Sequence, residues 1–350
     1  MFDLEQHTPK ELGYRFPAEW ELHRATWVSY PHGDSYSWPG TLPRIYPVYN
    51  RFIKEIAKGE KVCINIRDKK LQTWATEELE KLGTDMGQLT FYLNPTNDAW
   101  CRDHGPAFLV NPKAEHPKVI ISWKYNAWGD KYPHDLDDKI PMLVGQYLDL
   151  PVFYPGIVME GGGVEFNGKG TLLTTTACLL HENRNPGLFQ HEIEEYLRNY
   201  YGVDQILWLD EEIDGDDTNG HIDDITRFFK EDGVITMVEP NKFDANHKPL
   251  KETLKKLKGF RLPDGRQLDV VEIPMPKPVV YEGQRLPASY ANLYISNHAV
   301  IVPTFRCRED DLALSILEEC FTDRPVVGID SVEIIWGLGS WHCLSQQESL

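Results

Sequence analysis

The sequence predicts an α/β fold in a single domain, on three observations. Short strands and single amphipathic helices alternate along the chain, roughly every 60 to 70 residues, with hairpins between them. Several strands are apolar on alternate positions only, which suits a sheet with one covered face better than a doubly wound parallel sheet. Composition does not shift along the 350 residues, and a hydrophobic content of 41% is ample for one large core. Residues 1–350 are therefore read as one domain, with residues 1–10 as a loosely held N-terminal arm.

The elements follow in order. Residues 11 to 32 are aromatic and irregular, then strand-like from Ala25 to Tyr30. Val48, Phe52, Ile53 and Ile56 fall at helical spacing and predict a helix over Tyr46 to Lys58. Val62, Ile64 and Ile66 alternate in a strand, Lys61 to Arg67. A polar-faced helix, Leu71 to Leu82, and a short strand, Leu89 to Leu93, come next. A loop from Asn94 to Gly105 leads to strands at Ala107 to Val110 and Val119 to Trp123. A helix ends over Leu143 to Leu148. Strands at Val164 to Phe166 and Thr171 to Thr174 turn through Asn167-Gly168-Lys169-Gly170, where glycine supplies positive φ. Gln190 to Tyr201 is a helix and Gln205 to Leu209 a strand. Arg227 to Phe229 and Val234 to Glu239 pair across Glu231-Asp232-Gly233. A helix over Lys251 to Lys258 and a strand over Leu268 to Ile273 follow. Pro274 to Pro287 is linker-like, or a packed surface loop. Tyr290 to Ser296 pairs with Ala299 to Pro303. Asp310 to Cys320 is a helix, and Val326 to Ile329 a strand leading to a final loop.

Charge narrows the partners. Lysines and arginines number 36 and acids 54, a net charge of −18. Nucleic acid is not an expected partner, because phosphate binding needs clustered basic residues. A negative field favours small cationic substrates, or simply serves solubility. No apolar run reaches the ~20 residues of a membrane span, so no membrane is expected. The first residues lack the basic and apolar regions of a signal peptide. Six cysteines (63, 101, 178, 307, 320, 343) lie far apart and read as free thiols in a reducing cytoplasm. Their spacing excludes the usual zinc patterns, and neither metal nor cofactor is expected.

Four segments carry candidate chemistry. Gly337-Leu338-Gly339-Ser340-Trp341-His342-Cys343 sets a cysteine after two glycines, which let backbone and ligand approach closely. Asn97 to Pro106 holds Trp100, Arg102 and Asp103 in a loop closed by Gly-Pro. It also reads as a solvated turn. Glu160-Gly161-Gly162-Gly163 leaves one side bare, so that a flat ligand could lie against the backbone, or else forms a plain tight turn. Asp214 to Asp224 is the densest acidic cluster and contains His221. An EF-hand fails there, because its fifth and twelfth positions are Thr218 and Ile225. In an extended segment His221 and Asp223 would share a face. A cysteine nucleophile, a histidine, a glutamate and two separated aspartates together suit a guanidinium, whose N–H fork carboxylates match bidentately.

These four segments, with Gly13 to Trp20, His23 and Ala25-Thr26-Trp27, resemble the agmatine deiminase and bacterial (porphyromonas-type) peptidylarginine deiminase family of the pentein superfamily. The resemblance runs from about residue 11 to the C-terminus, with the motifs in the family's order. It departs at Gly163-Val164-Glu165, Asp224, Leu338 and Trp341. It implies a pentein α/β propeller, with five ββαβ-type modules around a pseudo-fivefold axis. It also implies hydrolysis of a guanidinium through a covalent thiouronium, without a cofactor. Cys343 would be the nucleophile and His221 the acid and then the base. Glu160 would orient His221 and the substrate, Asp103 and Asp223 would hold the guanidinium, and Trp100 would wall the pocket. Agmatine is the expected substrate, in putrescine and polyamine biosynthesis, with Asp217 as partner for its ammonium. Arginine and peptidylarginine are the alternatives. An amidinotransferase, a metal-dependent hydrolase and a non-catalytic cation-binding protein are more distant ones. Self-association into a homo-oligomer is compatible with the sequence.

Overall fold

The computed structural model describes residues 6–210 and 212–350. Its strands form several small mixed sheets rather than one large one. Five of them share a grammar. An antiparallel neighbour pairs with a central strand, and a helix then crosses over to a third strand that lies parallel, since parallel partners need a long connection. Ala107–Val110, Lys118–Ile121 and Val152–Phe153 make one such sheet, with helix Ile140–Leu148 as crossover. Val164–Phe166, Thr171–Thr175 and Gln205–Leu209 make the next, across helix Gln190–Tyr201. Thr226–Lys230, Gly233–Val238 and Asp269–Pro274 use helix His247–Gly259. Tyr294–Ile295, Val300–Thr304 and Val326–Asp330 use helix Glu309–Cys320. The remaining sheet joins the two ends of the chain. Ser345–Ser349 pairs antiparallel with His23–Ser29, which continues in parallel to Lys61–Asn65 and Leu89–Tyr92.

Several expectations change. The final loop ends in a strand, because its Ser, Gln and Glu side chains are buried on the first sheet and are not solvated. The helix expected from Tyr46 starts at Leu42, since Pro43 fits a first turn, and it tolerates Pro47 inside. The loop from Asn94 contains one helical turn, Cys101–His104. Only Tyr294–Ile295 of the stretch from Tyr290 is strand. Pro274 to Pro287 is packed rather than linking: Val280–Tyr281 and Gln284–Arg285 form a hairpin, and Tyr281 stacks on Trp336 at 4.4 Å. The sheet of Ala107–Val110 and Lys118–Ile121 is covered on both faces. Leu109 and Val119 join one apolar cluster, while Phe108 and Ile120 join another. Lys10 donates to the Val203 carbonyl at 2.8 Å, so the N-terminal segment is tied down by that point, and residues 1–5 lie outside the described residues.

The largest apolar cluster runs from Val28, Phe52 and Ile64 to Trp100, Trp341 and Cys343. Trp341 is fully buried and stacks on Phe52 at 4.7 Å. The loop that carries Cys343 is thus anchored in the core by the residue two before it. No helix among the described residues is long and apolar enough to cross a membrane.

Candidate active site

Cys343 is held from three sides. Trp341 pins its loop below. The Arg102 amide donates to the Cys343 carbonyl at 3.0 Å, which ties the turn bearing Asp103 to the turn bearing Cys343. The Arg102 guanidinium continues the link, donating to Gln347 Oε1 at 2.6 Å and Glu19 Oε2 at 3.0 Å. From the third side, Asn292 Nδ2 reaches Sγ at 3.0 Å, and the Cys343 amide donates to Asn292 Oδ1 at 3.3 Å.

The glycines before Cys343 serve protein contacts. A Cβ on Gly339 would come within 2.5 Å of the Trp100 ring, and one on Gly337 within 2.7 Å of Trp38. Their missing side chains let Trp38 and Trp100 lie against the loop, and both glycines also line the cavity beside Cys343. Gly161 to Gly163 behave alike. They form one 3₁₀ turn rather than a flat platform. A Cβ on Gly162 would meet His221 Nδ1 at 2.5 Å, Asp103 Oδ1 at 2.9 Å and Asp223 Oδ2 at 3.1 Å. The missing side chain is the space in which three polar groups converge. The Gly162 amide also donates to Asp103 Oδ1 at 2.9 Å, and Trp128 Nε1 donates to Oδ2 at 3.1 Å.

His221 and Asp223 do face the same centre, but across a 3₁₀ turn, Ile222–Asp224, instead of an extended strand. His221 Nδ1 lies 3.8 Å from Asp103 Oδ1 and 4.0 Å from Asp223 Oδ1. Neither ring nitrogen of His221 has a hydrogen-bond partner, nor has Asp223 Oδ1 or Glu160 Oε2, although all are buried. The other oxygen of Glu160 accepts from Arg184 Nε at 2.5 Å. Buried polar atoms without partners are costly, and a cluster of them marks a place for a polar ligand. Among the described residues, Glu160, Cys178 and His221 each present an atom within 4.8 Å of the others and are the group that could hold a metal ion.

The remaining acidic cluster disperses. Asp216 caps its own turn, accepting from the Thr218 and Gly220 amides at 2.7 Å. Asp217 accepts from Tyr132 Oη at 2.9 Å and pairs with Lys131 at 3.1 Å. A cavity of about 100 Å³ joins Asp217 to Cys343 and Asp103, walled by Trp100, Trp128 and Trp336. Leu338, whose φ is +71°, lines it, whereas Trp341 does not.

Burial, and then Asp223, Asp224 and Asp103, push the Cys343 thiol well above its ordinary range. Burial opposes the charge on His221, yet Asp103, Cys178 and Asp223 outweigh it and hold the imidazolium well above the usual histidine value. Burial lifts Asp103 to about 6, helped by Asp223 and Glu160. Burial works against Asp223 too, but the His342 hydrogen bond and charge keep it below the ordinary carboxylate range. The site therefore disfavours a thiolate at Cys343 and favours positive charge at His221, and its clustered carboxylates favour a cation.

The family model of Porphyromonas-type peptidyl-arginine deiminases matches residues 15–348. The chain belongs to that family. Members of this family are guanidino-group deiminases. A provisionally named agmatine deiminase of Legionella pneumophila is 35% identical over 343 residues, 97% of this chain and 96% of its own. Two solved structures are similar. The agmatine deiminase of Enterococcus faecalis has a TM-score of 0.90 at 30% identity, over 98% of this chain and 97% of that one. The C. jejuni agmatine deiminase, a Cys-to-Ser variant with substrate bound, has a TM-score of 0.88 at 29% identity over 96% of each chain.

In this family member the structure brings Cys343, His221, Glu160, Asp103 and Asp223 to one centre, with Trp100 and Asp217 on the cavity. Sequence reasoning missed Asn292, Trp128, Arg184, Glu19 and His342. Asn292 left one signal, a polar residue inside the apolar run Tyr290-Ala291-Asn292-Leu293. Trp128 left none, because its φ of +58° comes from an irregular turn.

Proposed function

We propose that the chain is an agmatine deiminase, which hydrolyses the guanidinium of agmatine to N-carbamoylputrescine and ammonia. The observation that carries this reading is the cavity lining. It offers the Cys343 thiol, two carboxylates, Asp103 and Asp217, and several aromatic rings, but no arginine or lysine. Lys131, nearby, is already paired with Asp217. A substrate cationic at both ends suits such a lining. Free arginine would bring a carboxylate with no cation to meet it. The likeness to agmatine deiminases over nearly the whole chain supports the same reading. So does the repeated ββαβ pairing, which suits five modules around a pseudo-fivefold axis with the site at the centre.

Asp103 and Asp223 take the two edges of the guanidinium plane. The docked cation lowers the pKa of Cys343, and its thiol proton passes to bulk water. Sγ then bonds to the guanidinium carbon. His221 gives its proton to one amino group, which leaves as ammonia, and a thiouronium remains on Cys343. The neutral imidazole next takes a proton from water as the water oxygen adds to the same carbon. The C–S bond breaks as the new hydroxyl becomes the carbonyl, its proton returning the Cys343 sulfur to a thiol, and N-carbamoylputrescine leaves. Glu160 orients His221 and the cation, Trp100 walls the pocket, and Asp217 receives the distal ammonium.

The test is mass spectrometry of products after incubation with agmatine, arginine and a blocked arginine peptide. Ammonia and N-carbamoylputrescine from agmatine alone are expected, and Cys343→Ser should abolish them. Activity confined to arginine or to the peptide would overturn the substrate. Activity that survives Cys343→Ser and is lost in chelator would overturn the mechanism.

A further inference from the structure

His342 stands one residue before the nucleophile, and both of its ring nitrogens meet carboxylates. Nδ1 lies 2.7 Å from Asp223 Oδ2, and Nε2 lies 2.9 Å from Glu19 Oε2. Glu19 comes from the aromatic opening segment, to which the deiminase reading assigns no role. It is a hub. Its Oε2 also takes Arg102 at 3.0 Å, and its Oε1 takes Arg227 at 3.0 Å and the Ile295 amide at 2.8 Å. Arg227 in turn reaches Glu165 at 2.8 Å. These six side chains, Glu19, Glu165, Asp223, Arg102, Arg227 and His342, are each at most 5% exposed.

Three carboxylates face two guanidiniums and one imidazole. Each ring nitrogen of His342 needs a hydrogen to meet its carboxylate oxygen, so the geometry calls for both protons on the ring. The two oxygens of Asp223 are then unequal. Oδ2 is taken by His342, with Asn292 Nδ2 at 3.3 Å and Cys343 Sγ at 3.4 Å. Oδ1 is buried, has no partner, and lies on the side of His221.

We infer that His342 is a positioning residue: held as an imidazolium between Glu19 and Asp223, it fixes the Asp223 carboxylate so that Oδ1 is presented to the guanidinium. The inference rests on the deiminase reading of the site. It links the opening segment to substrate grip through two side chains. The Asp223 contact is made to the bound cation before and during attack, so its loss acts mainly on binding.

Steady-state kinetics with agmatine and the charge state of His342 test this together. His342→Gln, which can reach Glu19 but not Asp223, should raise KM about 10- to 100-fold while kcat falls less than about 10-fold. His342→Asn places an amide where Nδ1 was and should recover part of the loss. Glu19→Gln should act in the same direction as His342→Gln. In the wild-type protein, a long-range ¹H–¹⁵N spectrum at pH 7 should show both nitrogens of His342 protonated, with the signal assigned by its absence in His342→Asn. A wild-type KM in a folded His342→Gln, or a neutral His342 at pH 7, overturns the inference. If His342→Gln fails to fold, the wild-type spectrum and His342→Asn decide. A wild type that releases no ammonia from agmatine overturns the functional reading itself, whereas an active wild type with an unchanged His342→Gln overturns only the positioning role.

Discussion

Asp103 shows how one residue balances stability against binding. Its carboxyl is lifted to about 6, above the ~3.9 of a free aspartate. The folded state therefore holds the proton more tightly than the unfolded one. The resulting destabilisation is absent below about pH 4 and fully present above about pH 6. Asp103→Asn should raise the melting temperature of the empty protein at pH 8, and the gain should shrink as pH falls towards 4. Activity at pH 8 should drop at least ~10²-fold, because one edge of the cation loses its partner. Calorimetry at several pH values checks the first part, and an equal gain at every pH would refute it. The thiol of Cys343 gives a second residue-scale outcome. Burial and three aspartates hold its proton on, so alkylation of the empty protein should rise only at alkaline pH. A small non-reactive guanidine should shift that profile to lower pH. Identical profiles with and without it would remove substrate assistance from the mechanism.

Elements carry these residues, and the three-glycine turn constrains them most. Gly162 sits where His221, Asp103 and Asp223 converge, and none of those atoms can retreat without leaving the site. Gly162→Ala should cost about 1–3 kcal/mol of stability and lower kcat/KM at least ~10²-fold. Parallel unfolding and kinetic measurements check this, and an active, stable variant would show that the centre is looser than described. The sequence made the residue types of this turn visible, but not what they serve. Glycines on the chain look alike whether a ligand or a side chain fills the space beside them. Periodicity located the helices well where one face is apolar, as at Gln190–Tyr201. It failed where burial is polar. Ser345–Ser349 is buried at every residue although its side chains are all polar, so no hydropathy pattern records it. Cys343, His221, Glu160, Asp103 and Asp223 were legible because motif order identified a family. Glu19 and Asn292 were not, since each meets the site only through a contact between distant parts of the chain.

At the scale of the molecule, the net charge of −18 and the closure of the chain both bear on function. A negative field attracts a dication, and salt screens it, so kcat/KM for agmatine should fall as sodium chloride rises. A rate that does not respond would leave the charge to solubility alone. Closure makes a stronger demand. The last strand, Ser345–Ser349, fills the open edge of the first sheet beside His23–Ser29. Its side chains are internal partners. Glu348 accepts from Trp27 Nε1 at 3.0 Å and Lys118 Nζ at 2.8 Å, and Gln347 holds Arg102. Removing residues 345–350 strands buried Lys118 without its carboxylate, at about 3–5 kcal/mol. It also exposes a row of unpaired backbone groups and frees the turn that bears Cys343. These losses together approach the whole stability of a typical domain, about 5–15 kcal/mol. The truncated chain should show no cooperative melting transition and no activity. Deleting Leu350 alone removes one backbone bond to Leu22 and should leave both nearly intact. A folded, active chain ending at Leu344 would mean that the first sheet holds without its strand from the other terminus, and that the loop carrying Cys343 is fixed by Trp341 and Arg102 alone.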